Sequence, residues 1–120
     1  MISMRKVVLE SPYAGNTPEE MQRNVSYARL ALRDSLLRGE APLMSHLLHT
    51  QVLDDNIPAH RKMGIEAGHA WIADADAVIV CSDYGVSKGM QIAVELANKL
   101  GIPVHARFLL ENHKGDLIWR

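Results

Sequence analysis

Residues 77–104 read AVIVCSDYGVSKGMQIAVELANKLGIPV. Ala77–Cys81 is an unbroken apolar run, rich in valine and isoleucine. It is too short for a buried helix and the right length for a strand covered on both faces. Ser82–Gly89 is polar and glycine-bearing, a loop. Met90, Val94, Ala97 and Leu100 then recur every three or four residues, the pattern of an amphipathic helix. Ser87 can cap its start, and Gly101 is placed to end it. Ile102–Ala106 returns as a strand. A strand, a crossover helix and a second strand make a parallel pair.

The rest of the chain repeats this unit. Lys6–Glu10 contains VVL and stops at Ser11-Pro12, which predicts another buried strand. Thr17-Pro18-Glu19-Glu20 is a helix start, with Thr17 as N-cap, Pro18 in the first helical position and Glu20 closing a capping box. Met21, Val25, Ala28, Leu32 and Leu36 predict its inward face, and Arg38-Gly39 its end. Ala41–Met44 is a short second strand. Ser45–Ile57 reads as a loop with a short helical piece. Pro58 opens a helix through about Ala73, with Met63, Ala67, Ala70 and Trp71 on one face. Gly64 and Gly68 would each weaken that helix by roughly 1 kcal/mol relative to alanine, so they predict close packing or the close approach of a ligand. Phe108–Arg120 reads as a final strand pair turning at residues 112–115. Strands alternating with helices predict an α/β domain, a mostly parallel sheet of four to five strands with helices on both faces. With strand order 2-1-3-4-(5), the loops at Ser11–Asn16 and Ser82–Gly89 flank the switch point where such sheets bind ligands.

The chain has 120 residues, which predicts one domain over 1–120. Hydrophobic residues make up 48% and charged residues 22%, the balance of a folded globule rather than a disordered chain. A net charge of −1 gives no global field for nucleic acid. One cysteine, Cys81, excludes an internal disulfide and suits a reducing compartment. No apolar run has the roughly 20 residues of a membrane helix. The basic N-terminus runs directly into the first strand, so a cytoplasmic protein is expected, without a membrane or nucleic-acid partner.

Several residues could carry chemistry. Ser87 and Gly89 open a helix whose free N–H groups suit a phosphate or carboxylate; equally, Ser87 can be a cap and nothing more. Tyr13, beside Gly15 and Asn16, could stack on a base or bond a carboxylate, or be a half-buried turn residue. Asn24 could point toward the same cleft, but reads first as a solvated helix residue. Breaking a glycosidic bond calls for carboxylates, and Glu66, Asp83 and Glu95 are the candidates. Glu66 draws attention because its neighbours in GIEAGHAW are apolar. His46, His49 and His60 with Asp54 and Asp55 lack a metal-site pattern, so no metal is expected. His46 and His49 could still touch a ligand. Neither GxGxxG nor GxxxxGK[ST] occurs, and no cofactor is expected.

Taken together, SPYAG after the first strand, WIADADAVIV, then SxG and AxxLGIPV resemble the nucleoside 2-deoxyribosyltransferase superfamily, which includes nucleoside-monophosphate N-glycosidases. The match covers most of Val7–Val104 and is nearest to the small uncharacterised, often phage-type, branch. The resemblance implies a flavodoxin-like (Rossmann-like) sheet, a nucleoside or nucleotide ligand and attack of a glutamate on the anomeric carbon. It matches Tyr13 to the tyrosine near the nucleophile. Ser87 and Gly89 match 5′-phosphate positions, with Ser11, Gly15, Asn16 and Met90 placed around the same ligand. The nucleophile falls on Ala93, and the acid falls on Gly68. Glu95 and Glu66 lie two residues from these, a rotation of about 200° on a helix. Three accounts fit: a glutamate replaced at Ala93, a rearranged site using Glu66 and Asp83, or a domain that binds nucleotides without cleaving them. The resemblance also implies a homo-oligomer, with Ser45–Ile57 and the C-terminal tail as contact regions.

Overall fold

The computed structural model describes residues 4–111. Four strands, β1 (Lys6–Glu10), β2 (Ala41–Leu43), β3 (Ala77–Cys81) and β4 (Val104–Arg107), form one parallel sheet in the order β2-β1-β3-β4. This is the expected α/β, Rossmann-like arrangement. The helices are α1 (Pro18–Leu37), α2 (Ser45–Leu48), α3 (Pro58–Ala70) and α4 (Lys88–Leu100). Residues 108–111 form no strand, and the rest of the strand pair expected at Phe108–Arg120 lies outside the described residues. Among the described residues no helix is long and apolar enough to cross a membrane.

Strand alternation divides the core in two. Val7, Leu9, Ala77, Ile79 and Cys81 face α1, where Tyr27, Ala28, Leu30 and Ala31 cover them. Val8, Val78 and Val80 face the other way, under Met90, Ala93 and Ala97 of α4. Every residue of β3 is buried, as a central strand between two helical layers requires.

Helix ends follow the sequence more closely than helix faces. Thr17 Oγ1 accepts from Glu20 N at 3.1 Å, and Pro18 occupies the first turn. The return bond from the Glu20 side chain is not formed among the described residues, so half of the expected capping box is present. Gly101 ends α4 with φ of 74°, in the left-handed region that glycine tolerates.

The inward face of α1 is rotated from the expected one. Leu36 is exposed, whereas Asn24, Asp34 and Ser35 are buried. The reason is polar satisfaction. Ser35 Oγ donates to Glu40 Oε1 at 2.8 Å, Arg38 Nε donates to Asp34 Oδ2 at 2.7 Å, and Arg107 grips Glu40 through both terminal nitrogens. The Arg107 guanidinium holds the Glu40 carboxyl below its usual range against the opposing effect of burial. A buried charge set matched in this way can occupy a core face.

The expected inward face of α3 is also reversed. Met63 is 58% exposed and Trp71 55% exposed, while Gly68 is buried. A Cβ on Gly68 would stand 2.8 Å from Ser45 Cβ, so the glycine lets α2 and α3 touch. Gly68→Ala is therefore expected to destabilise the protein by about 1–3 kcal/mol through overpacking, despite alanine's better helix propensity. Gly89→Ala, where an added Cβ meets nothing within 4 Å, is expected to be neutral or slightly stabilising. Urea unfolding of both variants checks the contrast; equal midpoints would contradict it.

Candidate functional site

A cavity of about 250 Å³ opens beyond the carboxyl ends of β1 and β3. β1 and the turn after it contribute Glu10, Ser11 and Tyr13, and the first turn of α4 contributes Ser87, Lys88, Gly89 and Met90. α2, α3 and the segment between them close the remaining wall with His46, His49, Asp55, His60, Arg61 and His69. Ligand pockets commonly span roughly 300–1,000 Å³, so this one suits a small ligand.

Asn24 builds the β1 side. It is 1% exposed rather than solvated. Its amide donates to Tyr13 O at 3.1 Å and Ala14 O at 3.2 Å, while Arg23 supplies Asn24 Oδ1. The turn is thus tied to α1, with the Tyr13 ring edge-on to His46 at 5.8 Å. A 2.9 Å hydrogen bond joins Ser11 Oγ and His46 Nε2. Burial lowers His46 to about 4, so it is neutral near pH 7 with one donor and one acceptor nitrogen. Burial also lowers His69.

The α4 side is electropositive. Ser87 Oγ accepts from Met90 N at 3.3 Å, leaving the hydroxyl proton for another partner. The cap and the cavity rim are one residue, so the two readings of Ser87 coexist. Lys88 makes no ion pair with the described residues, and Arg61 reaches Asp55 at 3.3 Å.

Six expected site residues lie elsewhere. Glu66 is 64% exposed and pairs with Lys62 at 3.6 Å on the outside of α3. Its apolar neighbours are not a sign of a cleft, because the apolar face of this helix is the outer one. Asp83 faces α1. Burial pushes its carboxyl up, but bonds from Leu109 N, Tyr27 Oη and Leu110 N outweigh this and hold it lowered. An ionised carboxylate that accepts three hydrogen bonds is not a proton donor. Ala93 is 0% exposed and lies in the apolar cluster with Val8, Val80 and Met90, not in the cavity wall. Gly15 packs on the first turn of α1 and Asn16 is exposed, so both shape the turn and neither lines the cavity. Glu95 is exposed. Ser11, Tyr13, Ser87, Gly89 and Met90 do converge.

Besides Asp55, which pairs with Arg61, a second carboxylate reaches the cavity: Glu10, which the sequence reading passed over. It is the last residue of β1, on the side of Val8, and burial raises it from 4.5 to about 7. A usable signal was present: a lone acidic residue ending an apolar strand beside the switch point. Among the described residues no group of three His, Cys, Asp or Glu side chains is arranged to hold a metal ion. The Cys81 thiol is buried and raised to about 12, so it stays protonated and inert.

Residues 5–107 match the family described as Domain of unknown function (DUF7768). The chain belongs to that family. No curated protein matches it. Among solved structures, this DUF7768 domain is similar to the 2-deoxyribosyltransferase of the psychrotolerant bacterium Bacillus psychrosaccharolyticus. The TM-score is 0.66 at 16% identity, over 84% of this chain and 70% of that one. The DUF7768 domain thus has the fold of that enzyme, as the sequence resemblance implied.

Two stability effects follow. Ala93→Glu would bury an unpaired carboxylate among Val8, Val78 and Val80 and is expected to cost about 3–5 kcal/mol; an unchanged urea midpoint would show that the position can open to solvent. The raised Glu10 binds its proton more tightly in the folded state, so its contribution is lost as pH rises from about 4.5 through about 7. His46 works oppositely, since its depressed value costs stability as pH falls from 6.5 towards about 4. Glu10→Gln removes only the first effect. Its melting temperature should gain on the parent between pH 5 and 8, by the equivalent of on the order of 2 kcal/mol, discounted for partial exposure.

Proposed function

We propose that this domain binds a nucleoside or nucleoside monophosphate and breaks its base–sugar bond, by hydrolysis or by deoxyribosyl transfer. The observation that carries the reading is the polarity of the cavity. One part of its wall has the α4 N-terminus, Ser87, Gly89 and the Lys88 ammonium, a seat for an anion such as a 5′-phosphate. Another part has the Tyr13 ring and the Ser11–His46 pair, an aromatic edge with hydrogen-bonding groups suited to a base. The fold shared with a 2-deoxyribosyltransferase supports the same ligand class.

A second reading is binding without turnover, as in a nucleotide sensor. It is favoured by the absence of Glu66, Asp83 and any Ala93 carboxylate from the cavity wall. Self-association belongs to the first reading: Leu48, Val52 and Ile57 in the expected contact segment are exposed and apolar, and a monomer by sedimentation would remove that element.

Calorimetry with the ribo- and deoxyribonucleoside monophosphates and their nucleosides, paired with chromatography for free base, separates the readings. Saturable binding with base release supports catalysis, and binding alone supports a sensor. Lys88→Ala should weaken monophosphate binding about tenfold while leaving the nucleoside unaffected, the scale of one lost charged contact. Failure of every compound to bind would refute both readings.

A further inference from the structure

We propose that Glu10 is the proton donor of base–sugar cleavage, a carboxyl supplied by the end of β1 in place of the acid expected at Gly68 on α3. This rests on the nucleotide reading and adds to it the residue that makes turnover possible.

The argument begins with position. The alternation of β1 sends Glu10 to the same side of the sheet as Val8, and Val8 shares its cluster with Ala93 and Met90. Glu10 and Met90 both line the cavity. The small Ala93 therefore packs below a site whose carboxyl comes from the strand. Among the described residues Glu10 makes no side-chain hydrogen bond or ion pair, unlike Asp34, Glu40, Glu66 and Asp83. It is a half-buried carboxyl that no fold contact uses.

Its surroundings keep the proton on. Burial holds Glu10 at about 7, so a large fraction is protonated at neutral pH. Other charges face the same cavity. Lys88 from α4 and Arg61 from α3 are cationic, with Asp55 paired to Arg61. His46 and His69 are lowered by burial, and His49, His60 and Tyr13 complete the titratable set. His46 is neutral and bonded to Ser11, which leaves Glu10 as the cavity's carboxylic acid with no partner to displace.

The step balances with one carboxyl and water. Glu10 gives its proton to a ring nitrogen of the base while the bond from the anomeric carbon to the base nitrogen breaks. The bonding electron pair leaves with the base, and the sugar becomes an oxocarbenium ion. The Glu10 carboxylate, newly charged, lies in a cavity shared with that cation. Water then forms the new carbon–oxygen bond and returns its proton to Glu10. The products are the free base and the sugar or sugar phosphate, and no group at position 93 takes part.

The test is base release from nucleoside monophosphates by the full chain across pH 5–9, with Glu10→Gln and the outside control Glu66→Gln. Glu10→Gln should lose at least about a hundredfold in kcat, the usual worth of a general acid, while calorimetric binding of the same nucleotide stays within about threefold. The parent rate should fall above about pH 7, and that limb should vanish in Glu10→Gln; Glu66→Gln should keep both rate and limb. The pH profile of the parent stands even if a variant folds poorly. An active Glu10→Gln, or a limb that survives in it, overturns the proposal. So does nucleotide binding by the parent without base release, which leaves the nucleotide reading intact. If nothing binds, that reading falls too, and the proposal with it.

Discussion

One carboxylate holds the top of this domain together. Asp83 accepts from Tyr27 Oη at 2.5 Å, Leu109 N at 2.7 Å and Leu110 N at 3.2 Å, while its own amide donates to Tyr27 Oη at 2.9 Å. These bonds join α1, the loop after β3 and the segment after β4 at a single half-buried point. Burial and the bond to Asp83 both raise the Tyr27 phenol, which keeps it a donor. Tyr84 packs edge-on to Tyr27 at 5.0 Å and carries Arg23 over its ring at 4.1 Å. Hydrogen bonds to a charged group are each worth roughly 1.5–3 kcal/mol, so the loop leading to Ser87 leaves the sheet in a fixed direction. The cavity inherits that direction.

The same economy of polar groups explains what could be read from sequence. Strands were legible because both faces of β3 are covered, and a doubly covered strand must be apolar throughout. Helix ends were legible because Thr17, Pro18, Ser87 and Gly101 act through local backbone chemistry. Helix faces were not. A periodicity count assumes that the buried side is the apolar one, and α1 turns Asn24, Asp34 and Ser35 inward because loop carbonyls, Arg38 and Glu40 satisfy them. On α3 two glycines define the inner side, which an apolar count cannot see.

The candidate site divides along the same line. Ser11, Tyr13, Ser87, Gly89 and Met90 were found because their place depends on strand ends and a helix start, features fixed over a few residues. Glu66 and Asp83 were misplaced because an acidic residue in an apolar context has two physical explanations. Glu66 sits on an outward apolar face, and Asp83 is the acceptor of a structural cluster. Glu10 was overlooked for the opposite reason: it reads as an ordinary strand terminus until the sheet order puts it at the switch point.

A carboxyl on a strand end differs from one on a helix in what the fold must supply. At position 93 a glutamate would start beneath α4, among Val8, Val78 and Val80, and its charge would need a path out of the core. Glu10 meets no such obstacle. β3 fixes its backbone through the Glu10–Val80 pair, and its side chain lines the cavity from the carboxyl end of an interior strand. The apolar layer beneath it raises its proton affinity, while the α4 N-terminus and Lys88 hold positive charge at another part of the same cavity wall. An anionic phosphate seated there would offset that positive charge and favour the protonated form of Glu10 further, because a nearby negative charge disfavours a second one. On the proposed function, ligand binding and proton retention at Glu10 would thereby be linked, and only a phosphorylated ligand would carry the charge that links them.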